Sequence, residues 1–197
     1  MQEQDYSTFP AWQRPAQDIG DYHACETTNG RQFIVRMNAG ADPLVALANF
    51  AKKENIRFAR IHTACHGSLQ PTKYYTWIPG YKDANRYDQD LDNWNVEGAA
   101  VNHNIMMLCA VSGMISTRPD GKGGEEPFIA MHFINGGAWD SPVFGGHMLE
   151  GTRIKGCMQV FVTELLDIEK LVPVNTMGDD YKYPGNFYVN TKHKAGK

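Results

Sequence analysis

The sequence predicts an α+β domain, a compact, mostly antiparallel or mixed sheet carrying one main helix. One segment has helical periodicity behind a capping signal, several β-branched runs follow it, and the connections between them are rich in Gly, Pro and Asp. At 197 residues the chain fits one domain and can bury a core without disulfide or metal staples. Hydrophobic residues at 42% and charged residues at 21% are ordinary for a globular protein and unlike a disordered chain.

Residues 1–30, rich in Gln, Pro, Asp and Thr, read as an extended arm that ends at Gly30. Residues 31–37 are β-branched and aromatic, a first strand. Asp42 before Pro43 is an N-cap followed by proline at the first helical position, and Leu44, Leu47, Ala48 and Ala51 repeat at helical spacing, so a helix is expected over about 43–54. Residues 56–66 form the next strand, broken by Gly67, with Phe58, Arg60, His62, Ala64 and His66 on one face at period two. Residues 70–95 interleave Tyr74, Tyr75, Trp77, Tyr81, Tyr87 and Trp94 with prolines and acids, which suggests a binding loop or an aromatic subunit contact. Strands are expected again at 103–116, 127–134 and 157–164, with a turn at 118–124 and a loop-like tail from Val172. The resulting division is an arm over 1–30, a domain over 31–167 with the aromatic-rich insertion 70–95, and a tail over 168–197.

Nineteen Lys and Arg against 22 Asp and Glu give a net charge of −3 without a long basic run, which argues against nucleic acid as a partner. No stretch approaches 18 apolar residues, so no membrane partner is expected, and the start lacks the basic and apolar regions of a secretory signal. Cys25, Cys65, Cys109 and Cys157 stand far apart with no C-x-x-C spacing, as reduced thiols of a cytoplasmic protein would.

Histidines are the candidate chemical groups, since imidazole exchanges protons near neutral pH and is the commonest metal ligand. His62 and His66 share the strand face of Arg60. His132 stands in an apolar strand, and His147 follows Gly145 and Gly146, whose lack of side chains allows close backbone approach. Glu150 and Arg153 follow His147 closely enough to enter its neighbourhood.

The words Phe33-Ile-Val-Arg-Met37, Gly40-Ala-Asp42 before a helix, Val111-Ser-Gly113, the 127–134 strand and Gly145-Gly-His147-Met-Leu-Glu-Gly151 resemble the PPC domain, the "plants and prokaryotes conserved" family, over residues 31–167. The resemblance implies a compact α+β trimer with a fold similar to that of acetolactate decarboxylase, a zinc lyase. Prokaryotic members often carry His-x-His ahead of the Gly-Gly-His, and three such imidazoles can hold zinc with one open position. Here Ala130 stands at the first of these positions, leaving His132 and His147, with His62, His66 or His103 as conceivable substitutes. Met107 occupies a strand position where the family tends to carry an acid, which suggests a pocket suited to an apolar ligand.

The expected function is that of a carbon–carbon lyase on a small hydroxylated aromatic substrate, by retro-aldol chemistry such as formaldehyde elimination, without a cofactor. His132 and His147 take the acid and base roles and Arg60 or Arg153 stabilises an anion, with Glu150 nearby. His62, His66, Tyr74, Tyr75, Trp77 and Met107 are the substrate-binding candidates. Zinc on His132 and His147 is the alternative cofactor state, and the other function classes are a non-catalytic trimeric small-molecule-binding module and a DNA-associated protein. The expected partners are the substrate and two further copies of the chain in a homotrimer.

Overall fold

The structure, a computed structural model, describes residues 25–75, 100–136, 143–175 and 184–190. Strand β1 (Thr28–Asn38) leads into helix α1 (Pro43–Glu54), followed by β2 (Ala59–Leu69), β3 (Thr72–Tyr75), β4 (Ala100–Asn102), β5 (Met106–Pro119), β6 (Glu125–Gly136), β7 (Phe144–Met148) and β8 (Ile154–Leu166). These eight strands form one sheet in the order β1-β8-β2-β5-β6-β7-β3-β4, and every pairing is antiparallel. The expected α+β class is the one found.

β1 to β8 with α1 belong to one compact unit, and β9 (Ile168–Asn175) and β10 (Pro184–Asn190) belong to a second. β9 and β10 pair antiparallel, with Val172 opposite Phe187. The tail is therefore not loop-like as the sequence suggested. Its β-branched and aromatic residues prevail over Pro173 and Pro184, which a two-stranded ribbon tolerates because each strand has a free edge.

Alternation along the strands builds the core on one face only. Met37, Ile61, Val111, Ile115, Met131, Phe133, Met158, Val160 and Val162 point inward and meet Leu44, Leu47 and Ala51 of α1. The expected cap is present: the Asp42 side chain accepts from the backbone N–H groups of Leu44 at 3.0 Å and Val45 at 3.4 Å. Its other oxygen accepts from Gly151 N at 2.6 Å and Arg153 Nη1 at 3.1 Å. One buried carboxylate thus fastens the helix start to the turn between β7 and β8.

Two sequence readings change in β2. Gly67 lies inside the strand rather than ending it, because the neighbouring strand passes so closely that an added Cβ would stand 3.0 Å from Cys157 O. Phe58 precedes the strand and is buried, so it does not share the exposed face of Arg60 and His62, and the register shifts between His62 and Gly67. Ser112 and Gly113 sit in the interior of β5, within the strand expected over 103–116. The supposed insertion also contains a structural strand, since β3 pairs with both β4 and β7. The remainder of that segment, including Trp77, lies outside the described residues.

Asp42→Ala should lower unfolding stability by about 2–4 kcal/mol, from the lost cap and the lost charge-assisted bonds to Gly151 and Arg153. Asp42→Asn, which keeps an acceptor for the cap, should cost about half as much. Urea denaturation of both variants measures this, and equal losses would show that the retained cap acceptor contributes nothing beyond the charged bonds to Gly151 and Arg153.

Candidate functional site

Cross-strand partners in a sheet project to the same face, so the ladder registers determine which side chains meet. Ile34 pairs with Phe161, Phe161 with His62, His62 with Ser112, Ser112 with His132, and His132 with His147. These residues form one row across the sheet on the face opposite the core. At its end His147 Nδ1 lies 3.2 Å from His132 Nε2, with the rings nearly perpendicular.

A hydrogen bond between two imidazole nitrogens requires one to carry the proton and the other to accept it. His147 is half-buried, and its pKa is lowered from the ordinary 6.5, first by burial and then by the charge of neighbouring His132. His132 is exposed. The pair therefore joins a sheltered base to an open proton donor and acceptor. Gly145 lets β7 approach in this register, because a Cβ there would collide with the Phe133 carbonyl oxygen of β6.

His147 also borders a cleft of about 510 Å³, whose wall includes Leu44, Val45 and Ala48 of α1 and Phe128 and Ile129 of β6. Arg118 and Glu126 at this cleft neutralise each other at 2.7 Å, and Arg118 lies over the Phe128 ring. Glu150 lines the cleft and is exposed.

The other candidates divide between the two faces. Arg60 and His62 stand exposed on the outer face, where the His62 ring packs 5.3 Å from Phe161. Met107 is exposed on the same face, next to the end of β6. Arg153 does not join the imidazoles, because the buried Asp42 carboxylate holds its guanidinium. Tyr74 is not a stacking residue beside them either. It packs against Phe133 and Phe144 at 5.6 and 5.2 Å, on the core side. Tyr75 pairs in register with His147, while its side chain and that of His66 lie outside the described residues. Sequence reasoning passed over Ser112 as chemistry, although its alternation within an apolar strand was a usable signal.

Two nitrogens 3.2 Å apart are close enough to share one cation, yet a zinc site with three protein ligands needs another donor. Ala130 offers none, and among the described residues no three His, Cys, Asp or Glu side chains converge. This donor set does not fit the three-imidazole site. Cys25, Cys109 and Cys157 form no disulfide among the described residues.

Because unfolded histidine takes up its proton near 6.5 and folded His147 does so only at lower pH, the group's contribution to stability is complete above 6.5 and declines as the pH falls below it. An NMR titration should place His147 below the ordinary histidine midpoint. His132→Ala should move it upward without fully restoring it, since burial is the larger cause. An unchanged midpoint in that variant would show that the two rings do not interact.

A family model for the Plants and Prokaryotes Conserved (PCC) domain matches residues 25–166. Among solved structures the chain is similar to a plant- and prokaryote-conserved (PPC) protein of Pyrococcus horikoshii, with 23% identity, a TM-score of 0.58, and coverage of 82% of this chain and 100% of the other. It is similar also to a metal-containing protein of Archaeoglobus fulgidus, with 20% identity, a TM-score of 0.54 and coverage of 73% and 86%. A supposed DNA-binding protein of Bacteroides thetaiotaomicron matches with 18% identity, a TM-score of 0.53 and coverage of 83% and 97%. At these identities the likeness is one of fold. No curated protein sequence matches the chain. The match of the family model over most of the sheet and its helix places this chain in the Plants and Prokaryotes Conserved domain family.

Proposed function

We propose that the protein is a carbon–carbon lyase that removes a one-carbon aldehyde from a small hydroxylated aromatic molecule by retro-aldol cleavage. The observation that supports this reading is the His132–His147 pair, a sheltered imidazole with a lowered pKa bonded to an exposed one. His147 takes the proton of a hydroxymethyl group. The carbon–carbon bond breaks as the C=O of formaldehyde forms, and the electron pair remains on the carbon next to the aryl ring. That carbon takes a proton back from the pair. One proton enters the pair and one leaves, so the reaction is redox-neutral and its electron balance calls for no organic cofactor.

A homotrimer in the cytoplasm belongs to the same reading. Ile34, Met107 and Ile134 expose 66%, 54% and 49% of their surface on the sheet face that carries the pair. An open sheet is a poor container for a small molecule, and neighbouring copies laid on these apolar positions would enclose it. The same exposed surface favours one second reading, a trimeric small-molecule-binding module without catalysis.

Incubation with phenols that carry a 2-hydroxyethyl side chain, whose terminal hydroxymethyl carbon is bonded to the carbon next to the ring, should release formaldehyde. His132→Ala and His147→Ala should each lower turnover by about 10² to 10⁴ with little change in thermal midpoint. Binding without release in the wild type, with the same affinity in both variants, would favour the binding module. Stoichiometric zinc with activity lost on chelation and restored by zinc would overturn the metal-free mechanism. Light scattering should give three times the 22.1 kDa of one chain, and a monomer at micromolar concentration would remove the trimer.

A further inference from the structure

Six arginines lie in the described segments, and four of them are paired with carboxylates: Arg31 with Glu164 and Glu54, Arg57 with Glu125, Arg118 with Glu126 and Arg153 with Asp42. Arg36 and Arg60 stand outside these pairs, and both are exposed on the outer sheet face. Arg60 neighbours the histidine row, since it is paired with Met114, two positions along β5 from Ser112. Around it the ladder places His62, Ser112 and His132, each able to donate a hydrogen bond. The carboxylate on this face of β5 and β6 is Glu126, already held by Arg118.

Among the described residues, a guanidinium, imidazoles and a hydroxyl meet no opposing acid on this face. Arginine suits a carboxylate well, because its planar fork matches two oxygens at once. Apolar contact is available alongside, from Phe161 packed on His62 and from Ile34 beyond it. We propose that Arg60, with His62 and Ser112, binds the carboxylate of an aromatic acid laid across the outer sheet face. This rests on the lyase reading for its placement beside the imidazole pair and narrows the substrate class to hydroxylated aromatic carboxylates. The carboxylate is an anchor on the β2 side of the row, and the aryl body extends from it toward the imidazole pair.

The experiment is calorimetric titration of the full chain with benzoate, benzyl alcohol and benzylamine as probes. Benzoate should bind, benzyl alcohol more weakly and benzylamine not at all, and benzoate affinity should fall as salt is raised. Arg60→Gln should weaken benzoate about tenfold, Arg60→Lys should restore part of the loss, and His62→Gln should weaken it by a smaller factor. His147→Ala should bind benzoate as the wild type does while losing formaldehyde release. Benzoate binding unaffected by Arg60→Gln, or benzylamine bound as tightly as benzoate, would overturn the anion site. Benzoate bound through Arg60 in a protein that releases no formaldehyde would remove the lyase and leave the anion site standing.

Discussion

A slip of one residue between β6 and β7 would turn His147 into the core and leave His132 alone on the other side of the sheet, so the site depends on that register. Packing on the opposite face holds it. Phe133 of β6, Phe144 of β7 and Tyr74 of β3 form a cluster with ring centroids 5.2 to 5.9 Å apart. Each alternates with a residue of the outer face, so the aromatic contacts that order three strands from the inside also set the imidazoles against each other on the outside. Gly145 completes the arrangement by letting the strands close.

The electrostatics follow a similar division. Asp42 spends its two oxygens on the helix start, the β7–β8 turn and Arg153, and so withdraws one cation from the surface near the site. Arg118 and Glu126 cancel at the cleft. Among the described residues, Arg36 and Arg60 on the outer sheet face stand outside the ion pairs. The proposed anion site is accordingly on the outer face rather than in the cleft between α1 and β6, where Glu126 already holds Arg118.

The helix was legible because its cap, its proline and its 3.6-residue repeat all agree, and Asp42, Pro43 and Glu54 mark the ends expected. The strands were legible through β-branched runs, though the expected bounds fall two to three residues short at both ends of β6 and β8 and lie three residues toward the N-terminus in β5, because strand propensity does not follow pairing at the ends. The His132–His147 pair was foreseen as a pair of residues, but their hydrogen bond comes from a ladder between strands, which no local pattern encodes. Tyr74 and Arg153 were misplaced for the same reason. Each was near a candidate histidine in the chain, and alternation or a buried acid carried it elsewhere. Gly67 was read as a breaker because a lone glycine gives the same signal for a turn as for a close strand crossing.

The strand order also limits what a ligand anchored at Arg60 can be. β2, β5 and β6 are adjacent, and with strands about 4.8 Å apart His132 lies about 10 Å from the strand of Arg60, with His147 one strand further. A carboxylate attached directly to a small ring would leave its reacting carbon short of the imidazoles. A molecule with its acid and its hydroxymethyl group at opposite ends of an aryl body could span the distance, placing the ring over Ala130 and Met114. At that position the absence of a third imidazole has a steric consequence. Ala130 leaves the surface beside Met114 low, where a histidine would stand in the path between the anchor and the base. Ala130 supplies no donor atom and leaves room for the longer molecule proposed, so the donor set and the shape of the surface both follow from this one position.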